Sequence, residues 1–194
     1  MAGRRGQDIL WKNSTKEFFG IKKMKFKTKY STIREFRKGD EISLQKNINH
    51  KYIYHKTSTI PYPYTMKHAR EWIKKTSSKT KSKKKKFYYF AIDISNEVAG
   101  GISIDNIGNG KGEIGYWLAK KYWKRGIISR SVKIISNFGL TKLKLVRIYA
   151  HVLPANKASR RVLEKNKFKL EGILRKTGFK DGKYFDCCMY AKVR

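Results

Sequence analysis

The sequence predicts one α/β domain with a mixed central sheet flanked by helices. Three observations carry this reading. Between residues 87 and 119, three β-patterned runs follow one another with short connections, the pattern of an antiparallel meander. The apolar period then changes: Ile128, Val132, Ile135 and Phe138 recur every three or four residues, placing them on one helix face, and a β-rich run follows at 145–152. The chain closes on two strand-like runs, 170–178 and 184–193, around the turn residues Asp181 and Gly182. With 194 residues and 40% hydrophobic composition, it can bury one ordinary core. The expected division is a basic N-terminal tail, 1–20, and a domain, 21–194.

In chain order, 21–36 alternates loosely and predicts a first strand, with Lys38, Gly39 and Asp40 as a turn. Asp40 is placed to cap a helix running to about His50, with Ile42 and Leu44 among its apolar contacts. A loop containing Pro61 and Pro63 leads to Thr65, the expected N-cap of a second helix with Ala69, Trp72 and Ile73 on one face. The stretch 74–86 ends in a dense lysine run, read as a solvated helix end and loop, with a polyanion contact as the alternative. The meander strands are 87–94, 97–104 and 112–119. The helix containing Ile128 begins near Gly126, stops near Gly139 and joins two parallel strands as a crossover. Pro154 ends the run 145–152, and Asn156 opens another helix with Ala158, Val162 and Leu163 inward.

The formal charge of +33, from 47 basic and 14 acidic residues, produces a field that attracts polyanions of any kind. The excess is mostly lysine spread along the chain, whereas base reading favours the planar fork of arginine, so charge alone selects no partner. No apolar run approaches the roughly 18 residues of a membrane helix, and the first residues lack the apolar stretch of a secretory signal. A soluble, cytoplasmic protein without a membrane partner is expected. Cys187 and Cys188, adjacent in a strand pattern, should point to opposite faces, which argues against a disulfide or a cysteine metal site. The four histidines have no metal-ligand spacing, so no metal is expected.

The most informative join leaves the third meander strand at Trp117 and reads Trp-Leu-Ala-Lys-Lys-Tyr-Trp-Lys-Arg-Gly-Ile-Ile-Ser, ending at Ser129. A strand, a basic glycine-containing loop and a helix N-terminus together offer unpaired N–H groups and cations to a phosphorylated ligand. Gly126 lets the backbone approach closely, and Ser129 adds a hydroxyl. The loop is neither a Walker loop nor a GxGxxG fingerprint. An ordinary helix start in a lysine-rich chain is the alternative.

In several ordered blocks the sequence resembles the GNAT acetyltransferases, in particular the branch that includes ribosomal-protein alanine N-acetyltransferases. These blocks are Pro61-Tyr62-Pro63-Tyr64-Thr65 with Ala69 and Trp72; Gly-Glu-Ile-Gly-Tyr-Trp-Leu at 112–118; and Tyr122-Trp123-Lys124-Arg125-Gly126. Leu153-Pro154-Ala155-Asn156 with Ser159 follows, then Arg161-Val162-Leu163-Glu164-Lys165 before Phe168. The resemblance runs from about Ile21 to the C-terminus and implies the acyl-CoA N-acyltransferase fold, with acetyl-CoA as cosubstrate in a cleft where two parallel strands splay. It implies that Trp117, Leu118 and Ala119 present backbone groups to the pantetheine arm. Lys124, Arg125, Gly126, Ile127, Ile128 and Ser129 would surround the pyrophosphate, and Asn156 and Ser159 would approach the pantetheine or thioester region from the other side. The sequence departs from the family loop, Gln/Arg-x-x-Gly-x-Gly/Ala, at Trp123 and Ile128. It also carries Asn166-Lys167-Phe168 for the usual Leu-Gly-Phe, where an asparagine adopts the left-handed helix end more readily than a lysine.

Direct transfer to an amine needs a base, an oriented amine and a donor to the developing oxyanion, and it needs no metal. Glu113, at the acidic position often given the role of base in related enzymes, shares a strand face with Gly115 and Trp117. A carboxylate paired with a lysine or arginine is the alternative. Many relatives carry a tyrosine acid seven residues beyond the helix-opening asparagine, where this sequence has Leu163. Ser159 is then the nearer donor to the leaving sulfur, with a helix-surface hydroxyl as the alternative, and an N–H near Leu118 is the oxyanion donor. Tyr62 and Tyr64 are candidates to line the acceptor pocket. Tyr184 is read as a packing or substrate-wall residue, and His151 as a strand-end surface or packing group rather than a base. The resemblance makes the N-terminal amine of a protein or peptide the leading acceptor. A small-molecule amine enzyme and a noncatalytic GNAT-fold module for nucleic acid or another polyanion are the alternatives. The charge would draw in a ribosome-associated or acidic partner, and the chain is expected as a monomer or homodimer.

Overall fold

The computed structural model describes residues 24–77 and 86–194. The tail 1–20 and most of the lysine run within 74–86 lie outside the described residues. The single strand expected over 21–36 is a hairpin, β1 (Lys25–Lys27) and β2 (Thr32–Glu35). Thr28 turns the chain: its hydroxyl donates to the Ser31 carbonyl and accepts from the Ser31 N–H, each at 2.9 Å. A short polar side chain that satisfies the backbone locally competes with an extended strand, and here it wins.

Helix α1 (Glu41–Ile48) follows Asp40, but the Asp40 side chain does not cap it. Its carboxylate takes two hydrogen bonds from Arg34 of β2, both at 2.8 Å, while Arg34 Nε donates to Asp93 at 2.6 Å. All three side chains are buried. A buried guanidinium left without carboxylates costs more than a missing cap, so Asp40 serves the ion pair. Leu44 reaches the core whereas Ile42 is 72% exposed, as two positions i and i+2 on a helix cannot share a face. A separate short helix, α2 (Lys51–Lys56), then begins at His50, whose Nδ1 accepts from the Tyr52 N–H at 3.0 Å. Helix α3 (Met66–Ser77) starts after Thr65, with Ala69 and Ile73 buried and Trp72 packed beside them.

The meander is β3 (Tyr88–Ile94), β4 (Glu97–Gly108) and β5 (Lys111–Leu118), antiparallel throughout. Helix α4 (Ile127–Thr141) crosses to β6 (Arg147–Val152), which runs parallel to β5. Gly139 lies inside α4 rather than ending it. A Cβ there would sit 2.6 Å from Ile148 Cδ1 and 2.8 Å from Ile104 Cδ1, so this glycine lets helix and sheet approach. Helix α5 (Lys157–Lys165) buries Leu163 and leaves Ala158 exposed in its first turn. The hairpin β7 (Lys169–Lys180) and β8 (Lys183–Val193) turns through Asp181 (φ 51°) and Gly182 (φ 74°), the pair of positive φ values that a two-residue hairpin turn demands.

The eight strands form one mixed sheet in the order β1-β2-β3-β4-β5-β6-β8-β7, and β5–β6 is its parallel pair. Helices α4 and α5 cover one face, packing Val132, Ile135, Phe138 and Leu163 on Ile104, Ile114 and Ile148. On the other face, α1 and α3 pack Leu44, Ile48, Ala69 and Ile73 on Ala91 and Val98. Cys188 belongs to the first core; Cys187, also a buried thiol, alternates to the opposite face. Among the described residues no helix is long and apolar enough to cross a membrane.

Candidate active site

Strands β5 and β6 pair only at Lys111↔Arg147, Gly112↔Ile148 and Glu113↔Tyr149. Past that point β5 continues to Leu118 beside β4, and β6 continues to Val152 beside β8. The two strands therefore part immediately after Glu113. The β6-facing backbone groups of β5 over 114–118 have no strand partner, and such groups take solvent or a ligand. At the far end of β5, the Leu118 carbonyl accepts from the Trp123 indole at 2.7 Å and the Ala119 N–H donates to Ala99 O at 2.9 Å. Trp123, a departure from the family loop, thus staples the following loop back onto the strand.

That loop turns through left-handed conformations at Lys124 (φ 59°) and Gly126 (φ 70°). Gly126 is the N-cap of α4 and brings no side chain to it. The first helical hydrogen bond is Arg130 N–H to Gly126 O, 3.1 Å, which leaves the preceding N–H groups at the helix start without intrahelical partners. Lys124, Arg125 and Gly126 are exposed. Ile127 is buried and Ile128 half-buried against the same core, so both branched side chains have contacts beneath the helix start. The Ser129 carbonyl and hydroxyl accept from Asn166 Nδ2 at 3.1 and 3.2 Å, and the same amide group donates to Val162 O at 2.8 Å. With its side chain committed there, Asn166 keeps φ at −97° and Lys167 takes the left-handed turn (φ 65°). The sequence preference of asparagine over lysine for that geometry is overridden by this buried amide.

At the opening of α5, Asn156 Oδ1 accepts from the Ser159 N–H at 3.2 Å. The Ser159 hydroxyl lies 2.8 Å from that of Tyr116, which also donates to Ser159 O at 3.3 Å. Tyr116 alternates with Glu113 on β5, so this bond joins β5 to α5 on the side of the sheet away from Glu113. Burial pushes the Tyr116 hydroxyl well above the usual tyrosine range and keeps it protonated. Sequence reasoning passed over Tyr116; its place within the strand that carries Glu113 was the available signal.

Glu113 is not paired with a lysine or arginine among the described residues. Its Oε1 lies 2.8 Å from His151 Nδ1, and its Oε2 accepts from Asn106 Nδ2 at 2.9 Å. Asp105, its register partner on β4, accepts from the Ser103 hydroxyl at 3.1 Å. Burial, with the Glu113 charge adding to it, raises the Asp105 carboxyl above its ordinary range. His151 and Tyr149 occupy the same face of β6, their rings edge-on at 5.6 Å. The sequence reading set His151 aside because its contact with Glu113 depends on the β5–β6 register, which no local pattern reveals.

Beyond the end of β6, the tip of the β7–β8 hairpin reaches α2. Lys180 Nζ donates to the carbonyls of Tyr54, Thr57 (2.7 Å) and Ile60 (3.3 Å), and Asp181 is hydrogen-bonded by the Tyr54 hydroxyl. Burial lowers the Lys180 ammonium below its usual range. A cleft of about 230 Å³ lies here, with Tyr54, Thr57, Leu153 and Phe185 in its wall. Tyr62 lines an adjoining hollow with Ser58, Ile60 and Pro61. Tyr64, expected beside it, is 6% exposed inside the α1–α3 core, and Tyr184 is 67% exposed, so neither lines the cleft.

The family model for the acetyltransferase (GNAT) domain matches residues 32–169. The chain belongs to this acetyltransferase family. This GNAT domain is 30% identical over 135 residues to the uncharacterized N-acetyltransferase p20 of Bacillus licheniformis, covering 68% of this chain and 76% of that protein. It is 32% identical over 106 residues to the ribosomal-protein-serine acetyltransferase of Escherichia coli K12, covering 54% of this chain and 59% of the relative. The crystal structure of the ribosomal-protein-S5-alanine acetyltransferase from Vibrio fischeri shares the fold with a TM-score of 0.73 at 20% identity, over 88% of this chain and 96% of that one. The matched GNAT segment contains the splay, the α4 loop, Asn156 and Ser159; it stops at the first residue of β7. The hairpin that walls the cleft lies beyond it.

Proposed function

We propose that the chain transfers the acetyl group of acetyl-CoA to the N-terminal amine of a protein or peptide in the cytoplasm. The observation that carries the reading is the parting of β5 from β6 directly after Glu113, with the uncapped start of α4 at one end and a hydrogen-bonded carboxylate at the other. The residues present fit acetyl-CoA. The β6-facing backbone groups of β5 over 114–118, apart from the Leu118 carbonyl that Trp123 holds, can take the pantetheine amides as an added strand would, whereas the Ala119 N–H is already engaged by Ala99. The N–H groups over 126–129, with the exposed Lys124 and Arg125, suit a pyrophosphate. Acetyl-CoA supplies the activated acyl group, and the chain supplies its surroundings.

A β5 N–H near Leu118 stabilises the oxyanion as it develops. Glu113 provides the negative charge beside which the amine gives up its proton. The Ser159 hydroxyl, backed by the protonated Tyr116, donates toward the departing sulfur, with Asn156 holding the first turn of α5. An N-terminal amine, with a pKa of about 7.7–8.0, is far more often neutral near pH 7 than a lysine at about 10.4, so a modest base suffices. Relatives named as ribosomal-protein acetyltransferases support a protein acceptor, and the charge of +33 favours one on a ribosome or another polyanionic surface.

The test is release of CoA thiol with peptides bearing free N-terminal serine or alanine, beside the same peptides N-acetylated but containing lysine, and beside spermidine. Turnover confined to the free α-amines is expected. Preference for spermidine would replace the acceptor class, and no release with any amine would contradict acetyl transfer.

A further inference from the structure

We propose that His151 is the group that takes the proton from the acceptor amine, and that Glu113 and Asn106 hold its ring in the form able to do so. The proposal rests on the acetyl-transfer reading above and names a residue that the sequence set aside.

Three observations lead to it. The Glu113 carboxylate, 2.8 Å from Nδ1, accepts only, so it fixes the ring proton on Nδ1 and leaves a lone pair on Nε2. Asn106 donates to the other carboxylate oxygen at 2.9 Å, which keeps Glu113 from rotating away. Finally, His151 stands two residues past Tyr149, the last β6 residue paired with β5, inside the opening. Two residues on, just past the end of β6, Leu153 lines the cleft at the hairpin tip. His151 therefore contacts Glu113 on one side and is followed in the chain, two residues on, by a residue of that cleft. Among the described residues no second hydrogen bond engages the ring. The groups around the pair are Glu113 itself from β5, Asp105 from β4 with Lys75 of α3 in its field, the Tyr149 ring on β6 and the Cys187 thiol of β8.

The step balances simply. The neutral amine nitrogen forms a bond to the thioester carbon, and its proton passes to His151 Nε2. The C–S bond then breaks with its electron pair on sulfur, which takes a proton from solvent through Ser159, while His151 returns its proton to solvent.

Two measurements test this. The ¹⁵N shifts of the His151 ring, in full-length protein without acceptor, should show the Nδ1–H form in the wild type and lose that bias in Glu113→Gln. With the serine or alanine peptide as acceptor, His151→Asn keeps a donor for Glu113 but has no Nε2. It should lower kcat/KM on the order of 10²-fold, remove the acidic limb of the pH profile and leave the KM for acetyl-CoA unchanged. His151→Ala should do the same. An Nε2–H ring in the wild type, or a His151→Asn enzyme with the wild-type pH limb and less than about a threefold loss, would overturn the proposal. If neither peptide is acetylated by the wild type, the acceptor class fails, and the ring tautomer still decides whether Glu113 holds His151 as proposed.

Discussion

At the scale of single residues, the site gathers acidic groups in a chain that is otherwise overwhelmingly basic. Asp105 and Glu113 face each other across β4 and β5, and burial raises the Asp105 carboxyl. The folded chain therefore holds the Asp105 proton more tightly than the unfolded chain. Stability must fall as pH rises from the ordinary value of 3.8 through the raised one, and the loss persists above it. Asp105→Asn removes that titration. The variant is expected to melt above the wild type at pH 7, with the gap closing near pH 3.8, in thermal scans across that range. An equal or lower Tm at pH 7 would show that Asp105 does not carry this burden. Glu113 could be put forward from the sequence because its strand context stands there. Tyr116 and His151 could not, since each contacts its polar partner 43 or 38 residues away. Ile128 conflicted with the family pattern in the sequence, yet its side chain packs into the core beneath the loop.

At the scale of elements, strong periods were readable and short-range competitions were not. The meander, α4 and the C-terminal hairpin follow from apolar spacing and turn residues, as expected where burial dictates the period. The β1–β2 turn at Thr28, the ion pair that claims Asp40 and the six-residue α2 each hinge on one polar side chain choosing among partners. The start of α4 shows how such a choice reaches the site. Asn166, at the end of α5, holds Ser129 in the first turn of α4 through both its carbonyl and its hydroxyl. Asn166→Ala leaves those acceptors and Val162 O without the amide, at a cost of about 1–3 kcal/mol. Urea unfolding should register that loss, and acetyl-CoA affinity should weaken with it as the helix start loosens. Lower stability with unchanged affinity would mean that the anion site does not depend on this tie.

At the scale of the whole molecule, the family segment and its charge make separable contributions. The matched region, 32–169, ends where β7 begins, so the β7–β8 hairpin and its lysine-held tip shape the cleft beside α2 outside the part that identifies the family. This is why the join from β5 to α4 was legible in the sequence and the cleft at the hairpin tip much less so. The charge of +33 draws any phosphate-bearing ligand toward the surface, an attraction that falls as salt screens it, whereas hydrogen bonds inside a formed cleft are screened much less. The central claim is that the opening between β5 and β6, ending at the start of α4, is a specific acetyl-CoA site. Calorimetric titration of the full chain with acetyl-CoA at low salt and at about 0.15 M salt tests it most directly. Saturable one-to-one binding that persists at the higher salt is the predicted result. Weak, multiple-site uptake that the higher salt abolishes would contradict the account and leave the basic surface as the source of the attraction.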